Sequence, residues 1–560
     1  MKRRTFCKTA AALAAGALLP CTAVQAAGTE NAVVGKAVPD DYYEIRFCSD
    51  RAAADLTHEF YYSESFFEHS AREYDHRLAL MTLGLANAAL NTYESESRWW
   101  LDGNTGRTDN IALAYRKLGF SNLQFMGYDQ NMNTLKDADG CAMAQKTIDK
   151  NGRRTTVFAF MLRPTVYGAE WASNLSVGVG EGHEGFVTTT DRMFVPIKAY
   201  MDAAAGSTKL GTVKVWFGGY SRGAALANLL AAKLHKIMPE IPEENIFAYT
   251  FAAPAALTAA DRPDLQQDYD GNHQKNGLLK DSWGASNIFN LISSGDIVPR
   301  VMPEAWGFHR NGNDRFLPAT VRQEECRALD EAGQGFGDEP LVISQLATKE
   351  ETDSVIDAVL RFCGSRESYH EKYEAAFADM IQCGLTRSEE EVTQDAVLDD
   401  EAVVTRLRTL PHIRAMAWSK VVRSVMTASA MSRPILERFG DAVPLRAQQI
   451  IIPVLAVGLC YDVEADVLKL AAYYIASLVS TKGRLDNAMR AAFCHYPEKQ
   501  VKISAVNTNI FFIIFPHQLK LCFLHSVLPV LQVRGNELRP LQFRRILFRP
   551  LFRFQEGGLQ

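Results

Sequence analysis

From residue 155 onward the chain alternates between short unbroken apolar runs and segments with helical spacing. Thr155–Leu162, Val213–Phe217, Ile246–Phe251 and Ile288–Ile292 are too short for typical helices and lack a polar face. They predict strands buried on both sides. Between them, His183-Glu184-Gly185-Phe186 opens a predicted helix that carries Met193 to Met201. A second predicted helix follows Gly223 and is apolar nearly all round, from Ala224 to Ile237, as a buried helix should be. Upstream, Phe66, Phe67, Leu78, Met81, Leu83, Leu85 and Leu90 recur at helical spacing, with Glu68, Arg72, Glu73 and Asp75 outward. One or two long helices are predicted over residues 61–91, and another over Asn110–Lys117, ended by Gly119. Strands alternating with helices through short links predict an α/β fold, a mostly parallel sheet flanked by helices.

One junction carries chemistry. Gly219, Ser221 and Gly223 form G-x-S-x-G between the 213–217 strand and the apolar helix. In a nucleophile elbow the tight turn strains the serine and lifts its hydroxyl above the sheet edge, and residues two away must lack bulk. Glycine-rich strand–helix turns also bind phosphate or simply pack closely, but the buried strand and buried helix are the context an elbow requires. Asp296, in Ser293-Ser294-Gly295-Asp296, also directly follows a predicted strand. Parallel sheets place such positions on one edge, where ligands bind.

Composition adds limits. The 560 residues carry a formal net charge of −5, with 47% hydrophobic and 22% charged residues. That balance gives no reason to expect a nucleic-acid partner. None of the ten cysteines forms a CxxC pair, so neither a metal nor any other cofactor is expected. Lys2-Arg3-Arg4, the Ala/Leu run from Ala10 to Leu19 and the small-residue site Val24-Gln25-Ala26 mark residues 1–26 as an export signal resembling the twin-arginine type. Leu18-Leu19-Pro20-Cys21 departs from a lipoprotein box in its proline. Residues 27–500 then form the catalytic domain, with 320–445 as a charged, helix-rich cap or lid over the functional edge. The acidic run from Glu389 to Glu401 reads as a solvated face. Ile450–Cys460 is a core element too short to span a bilayer. Residues 501–560 are a basic, apolar tail with eight Lys/Arg against two Asp/Glu.

Four blocks occur in order: Arg163-Pro164-Thr165 with Glu170, Trp171 and Asn174 downstream, GGYSRGA at 218–224, TFAAPA at 250–255, and SSGDIVPR at 293–300. Over about Tyr61 to Arg315 the chain resembles the bacterial branch of the class 3 lipases within the α/β-hydrolases. Pro164 stands where that family usually has glycine. The resemblance implies an exported serine hydrolase acting on acyl or lipid esters, in transient contact with a lipid surface, through a Ser-Asp-His triad. Ser221 would be the nucleophile, and Asp296 would orient the histidine. His495, in a block resembling the family's late H-Y-P-E, would be the base, with His309 and His370 as alternatives and His183 structural. The backbone N–H of Arg222 and a donor at Thr165 would form the oxyanion hole. A peptidase or amidase on the same scaffold and a non-catalytic binding protein are the competing readings.

Overall fold

The computed structural model describes residues 36–49, 54–90, 108–128, 140–150, 152–165, 168–205, 212–258, 285–293, 295–317, 349–385, 399–439, 445–465 and 468. Two strands, β1 (Asp41–Ser49) and β2 (Ala54–Tyr62), pair as an antiparallel hairpin, followed by a 3₁₀ turn over Glu64–Glu68. Helices α1 (His76–Ala88) and α2 (Asp109–Lys117) come next, then strands β3 (Ser121–Met126), β4 (Cys141–Lys150) and β5 (Arg153–Leu162). Helices α3 (Gly168–Leu175) and α4 (Glu184–Ala205) lead to β6 (Lys214–Tyr220) and α5 (Arg222–Ile237). Strands β7 (Ile246–Phe251), β8 (Leu257–Thr258), β9 (Ile288–Ser293), β10 (Phe308–His309) and β11 (Asn313–Leu317) complete the α/β part. The remaining helices are α6 (Lys349–Cys363), α7 (Arg366–Lys372), α8 (Glu374–Leu385), α9 (Asp400–Leu407), α10 (Pro411–Arg414), α11 (Trp418–Phe439) and α12 (Leu445–Cys460).

The central sheet runs β11-β9-β7-β6-β5-β4-β3. β5, β6, β7, β9 and β11 are mutually parallel, while β4 and β3 extend one edge antiparallel. All four apolar runs predicted as strands lie in the parallel part. Side chains alternate between two cores. Val157, Ala159, Met161 and Trp216 face α1 and the β1–β2 hairpin, while Phe158, Phe160, Val215 and Phe217 face α4 and α5. With both faces covered, no polar alternation survives in the sequence.

The long helical pattern over residues 61–91 resolves differently from its prediction. Tyr61 and Tyr62 end β2, Phe66 and Phe67 sit in the 3₁₀ turn, and only His76–Ala88 is α-helical. Tertiary pairing with β1 and the Asp75 cap, whose carboxylate accepts the Leu78 N–H at 3.0 Å, decide the boundary. Gly119 closes α2 at φ +77, as a glycine just past a helix end commonly does. The helices from α8 to α12 share a separate apolar core built on Met380, Leu407, Val421, Val425, Ile451 and Leu455. Ile450–Cys460 is therefore part of a core helix, α12. Residues 1–35, 320–348 and 469–560, and with them the expected export signal, the start of the insertion and the tail, lie outside the described residues.

A buried polar network ties together the strands on which the sheet edge depends. Asn290 on β9 donates to Asp314 Oδ1 and to the Asn311 carbonyl, both at 2.9 Å. Its own oxygen accepts from Asn228 of α5 at 2.9 Å and from the Thr250 hydroxyl at 2.6 Å. Removing Asn290 leaves several buried partners unmatched, and each such group costs about 1–3 kcal/mol. Asn290→Ala should therefore lower the urea-unfolding free energy by about 2–4 kcal/mol, measured on soluble protein. A loss under 1 kcal/mol would mean the network is not needed to hold the edge together.

Candidate functional site

Ser221 stands at the turn between β6 and α5 with φ +57 and ψ −125, a region that L-residues other than glycine rarely occupy. Holding it there costs of the order of 1–3 kcal/mol. The turn is tied to the next strand, because the Ser221 N–H bonds the Phe251 carbonyl at 3.0 Å. The glycines around it are required by clearance. A Cβ on Gly219 would lie 2.2 Å from the Gly223 carbonyl oxygen, and one on Gly223 would lie 2.2 Å from that of Leu162. Gly218, also in the turn block, lets α1 settle against β6, since a Cβ there would lie 2.3 Å from Thr82 Cγ2.

The contact at Gly223 brings the start of α5 against the end of β5, where Arg163, Pro164 and Thr165 leave the sheet. A buried ion pair shapes this loop: Arg163 donates to Glu170 Oε1 at 2.5 Å and to Oε2 at 3.2 Å. Arg163 also donates to the carbonyls of Pro164 and Gly127 at 3.1 and 3.2 Å. The Arg163 guanidinium thus holds the Pro164 carbonyl. Thr165 is buried, and its Oγ1 accepts from Asn174 Nδ2 at 2.8 Å.

The polarity of that contact is set from behind. Arg222 is buried, and its Nη1 lies 2.6 Å from Asn174 Oδ1. Guanidinium nitrogens only donate, so the Asn174 oxygen must face Arg222 and its NH₂ must face Thr165. An NH₂ group cannot accept, so the Thr165 hydroxyl receives there and keeps its own hydrogen for another acceptor. Further bonds from Arg222 to Ser173 Oγ at 3.3 Å and Thr189 Oγ1 at 3.1 Å fix the guanidinium. Sequence reasoning used only the backbone of Arg222 and missed this role for its side chain. The combination of Arg222 in the elbow with Asn174 in the first block was the available signal.

Asp296 follows β9, two strands from β6, and is fully buried. Its Oδ1 accepts the Val298 N–H at 2.9 Å. Arg310, also buried, braces the same loop by donating to the Pro299 and Ala253 carbonyls at 2.5 and 2.8 Å and to Asp314 at 3.0 Å. From α6, Thr352 donates to the Gly295 carbonyl at 3.0 Å, and Asp353 pairs with Arg300. α6 therefore packs beside Asp296.

The histidines separate by environment. His495 lies outside the described residues. His309 is buried in the short β10–β8 pair, and burial depresses its pKa against an opposing backbone hydrogen bond at Gly307. His370 is partly exposed, with Nδ1 3.0 Å from Glu374 Oε2. Glu374 also receives the Ser176 hydroxyl at 3.1 Å and the Gly178 N–H at 3.0 Å. Arg366 of α7 donates to the carbonyls of Val177, Gly178 and Gly182. His370 thus belongs to a clamp that fastens α7 and α8 to the loop between α3 and α4.

His183 is fully buried and lies in that loop. Its Nδ1 accepts from the Phe186 N–H at 3.4 Å, so Nε2 carries the proton and donates to the Asn174 carbonyl at 3.1 Å. It holds the backbone of Asn174 in place, a structural role. Burial above all pushes its pKa down to about 3. The unfolded chain therefore binds a proton that the folded protein refuses between about pH 6.5 and 3, so stability is full above that window and falls as pH drops through it. His183→Asn should reduce the slope of melting temperature against pH in this window. An unchanged slope would place the acid sensitivity elsewhere.

A sequence model of the class 3 lipases, described as "Lipase (class 3)", matches residues 147–306. That span holds β5, the Arg163–Thr165 loop, Ser221 and Asp296. No curated protein sequence matches the chain. Among solved structures, it is similar at 18% identity to a fungal lipase in complex with an inhibitor, over 42% of this chain and 77% of that one, with a TM-score of 0.28. A triacylglycerol lipase whose catalytic centre is a serine protease triad gives 16% identity, 43% and 78% coverage and a TM-score of 0.28. The Rhizomucor miehei lipase–propeptide complex gives 16% identity, 43% and 67% coverage and a TM-score of 0.28. With scores this low, the fold assignment rests on the chain's own strand order and the functional comparison on the 147–306 match.

Proposed function

We propose that this chain is a serine hydrolase of carboxylic esters, with lipid acyl esters as its substrate class. The observation that carries the reading is the backbone of Ser221, held at positive φ where a buried parallel strand turns into a helix. It lies within the span matched by the class 3 lipases. In this reading His495 takes the proton from Ser221 Oγ as the oxygen attacks the ester carbonyl, and Asp296 orients the imidazole and stabilises its cation. The carbonyl oxygen becomes an oxyanion, received by the N–H of Arg222 and by Thr165. The leaving alcohol takes the proton from the histidine, and water activated by the same group then releases the acyl chain from Ser221. The α6–α8 segment is fastened to the catalytic part through Arg366, Glu374 and Thr352, which favours a fixed cap over a lid that swings open. Residues 1–26 would direct the protein out of the cell.

Hydrolysis of a p-nitrophenyl ester series tests the assignment. Ser221→Ala and His495→Ala should each lower turnover by at least about 10⁴-fold with folding intact, and Asp296→Asn by a comparable factor. Turnover surviving in His495→Ala but lost in His309→Ala or His370→Ala would move the base. A folded wild type with no turnover on any ester would discard the hydrolase reading.

The oxyanion assignment has its own signature. Thr165→Val removes the hydroxyl but leaves the backbone N–H, so it should lower kcat about 100-fold with little change in KM if the side chain donates. Asn174→Leu should act in the same direction but less strongly, by freeing the hydroxyl to rotate. Unaltered kcat in Thr165→Val would assign the donor to the backbone.

A further inference from the structure

The outer face of α11 and its surroundings is basic and partly apolar. Between Ala402 and Leu436 the sequence carries Arg406, Arg408, Arg414, Lys420, Arg423 and Arg433 and no acidic residue, in a chain with a net charge of −5. Arg406 is buried, but the other five reach the surface. Lys420 pairs with Asp462 at 2.8 Å. Arg414, Arg423 and Arg433 have no carboxylate partner among the described residues. Among the acids at the margins, Asp400 accepts from Ser429 at 2.5 Å, and Asp379 accepts from Tyr461 and faces His412 at 3.4 Å, while Glu401 and Glu437 bound the basic stretch at the surface.

Apolar side chains stand among these cations. Trp418 is 53% exposed and Met426 62% exposed. Half-buried Val422 lies between them, so the three occupy positions i, i+4 and i+8 along about 12 Å of one helix face. The Arg408 guanidinium lies 4.4 Å from the centre of the Trp418 ring. Folding does not require this face, since α11 already buries Val421, Val425 and Ala428 in the helical core.

We propose that this face docks the protein on an anionic phospholipid surface. An exposed tryptophan beside aliphatic groups suits the headgroup region, where its ring is half in apolar and half in polar surroundings. Arginines on either side match lipid phosphates and carboxylates, and each adds attraction that salt weakens. A neutral lipid surface would have no use for the cations, and a purely electrostatic partner would have none for Trp418 and Met426. The inference stands apart from the catalytic reading, because it uses no residue of the Ser221 site.

The test uses the full chain carrying Ser221→Ala, so that no lipid is consumed, and floats it with phosphatidylcholine vesicles with and without phosphatidylserine. Binding should require phosphatidylserine and weaken with salt. Arg423→Glu with Arg433→Glu should lower partitioning about tenfold or more, and Trp418→Ala should also lower it. Lys236→Glu, a similar charge change on α5, should leave it unchanged. Brominated lipid should quench tryptophan emission, and the quenching should shrink in Trp418→Phe. Matching circular dichroism and melting would show that the variants fold. Equal binding to both vesicle types, or full binding by the double charge reversal, would overturn the proposal; the latter would place the cations elsewhere, the 501–560 segment included. Loss of RNA binding in the double variant, without any vesicle binding, would assign the face to nucleic acid instead.

Discussion

The structure depends on a clearance. Three backbones meet around Ser221: the end of β5, the turn out of β6 and the first turn of α5. They fit only because Gly219 and Gly223 present no side chain, since the space a Cβ would need is already filled by carbonyl groups. The strain at Ser221 is held by covered sheet on both faces and by the bond from its N–H to β7. Helix geometry leaves the first N–H groups of α5 without intrahelical partners, so the same turn that exposes a hydroxyl also supplies donors beside it. Strain, exposure and donors are consequences of one packing constraint.

Around that point, polar groups fix one another in series. Arg222 dictates which end of the Asn174 amide faces Thr165, and His183 holds the Asn174 backbone from the other side. Across the sheet edge, Arg310 braces the chain next to Asp296 while the asparagine network ties β9 to α5 and β11. Nearly all of these groups are buried. Each is costly if left unmatched, so geometry at the edge is defined more sharply than apolar packing would define it. α7 and α8 add to this fixation, because Arg366 and Glu374 bond backbone groups of the α3–α4 loop.

The helices after residue 349 are also where local and distant constraints part. The helices from α8 to α12 have an apolar core of their own. α6 and α7, in contrast, share a small cluster with the sheet part through Cys363 and Tyr369 against Val177, Ala255 and Phe308. The α6–α7 side is thus packed against the sheet part, while Trp418 and Met426 of α11 remain exposed.

The sequence by itself determined the parallel strands, because four buried runs had to be apolar on both faces, and it determined the elbow, because only glycine tolerates those approaches. It also placed Ser221 and Asp296 on one edge, since residues that follow parallel strands share an end of the sheet. Tertiary structure alone decided that Tyr61 and Tyr62 belong to a strand, because their partner β1 has to be paired before the pattern can be told from a helix. It alone revealed the Arg222–Asn174–Thr165 chain, in which Arg222 lies 48 residues from Asn174, and the clamp between residues 366–374 and 177–182. Periodicity records which way a side chain faces. It does not record which distant polar group waits there, and hydrogen-bond direction exists only once both partners are in place.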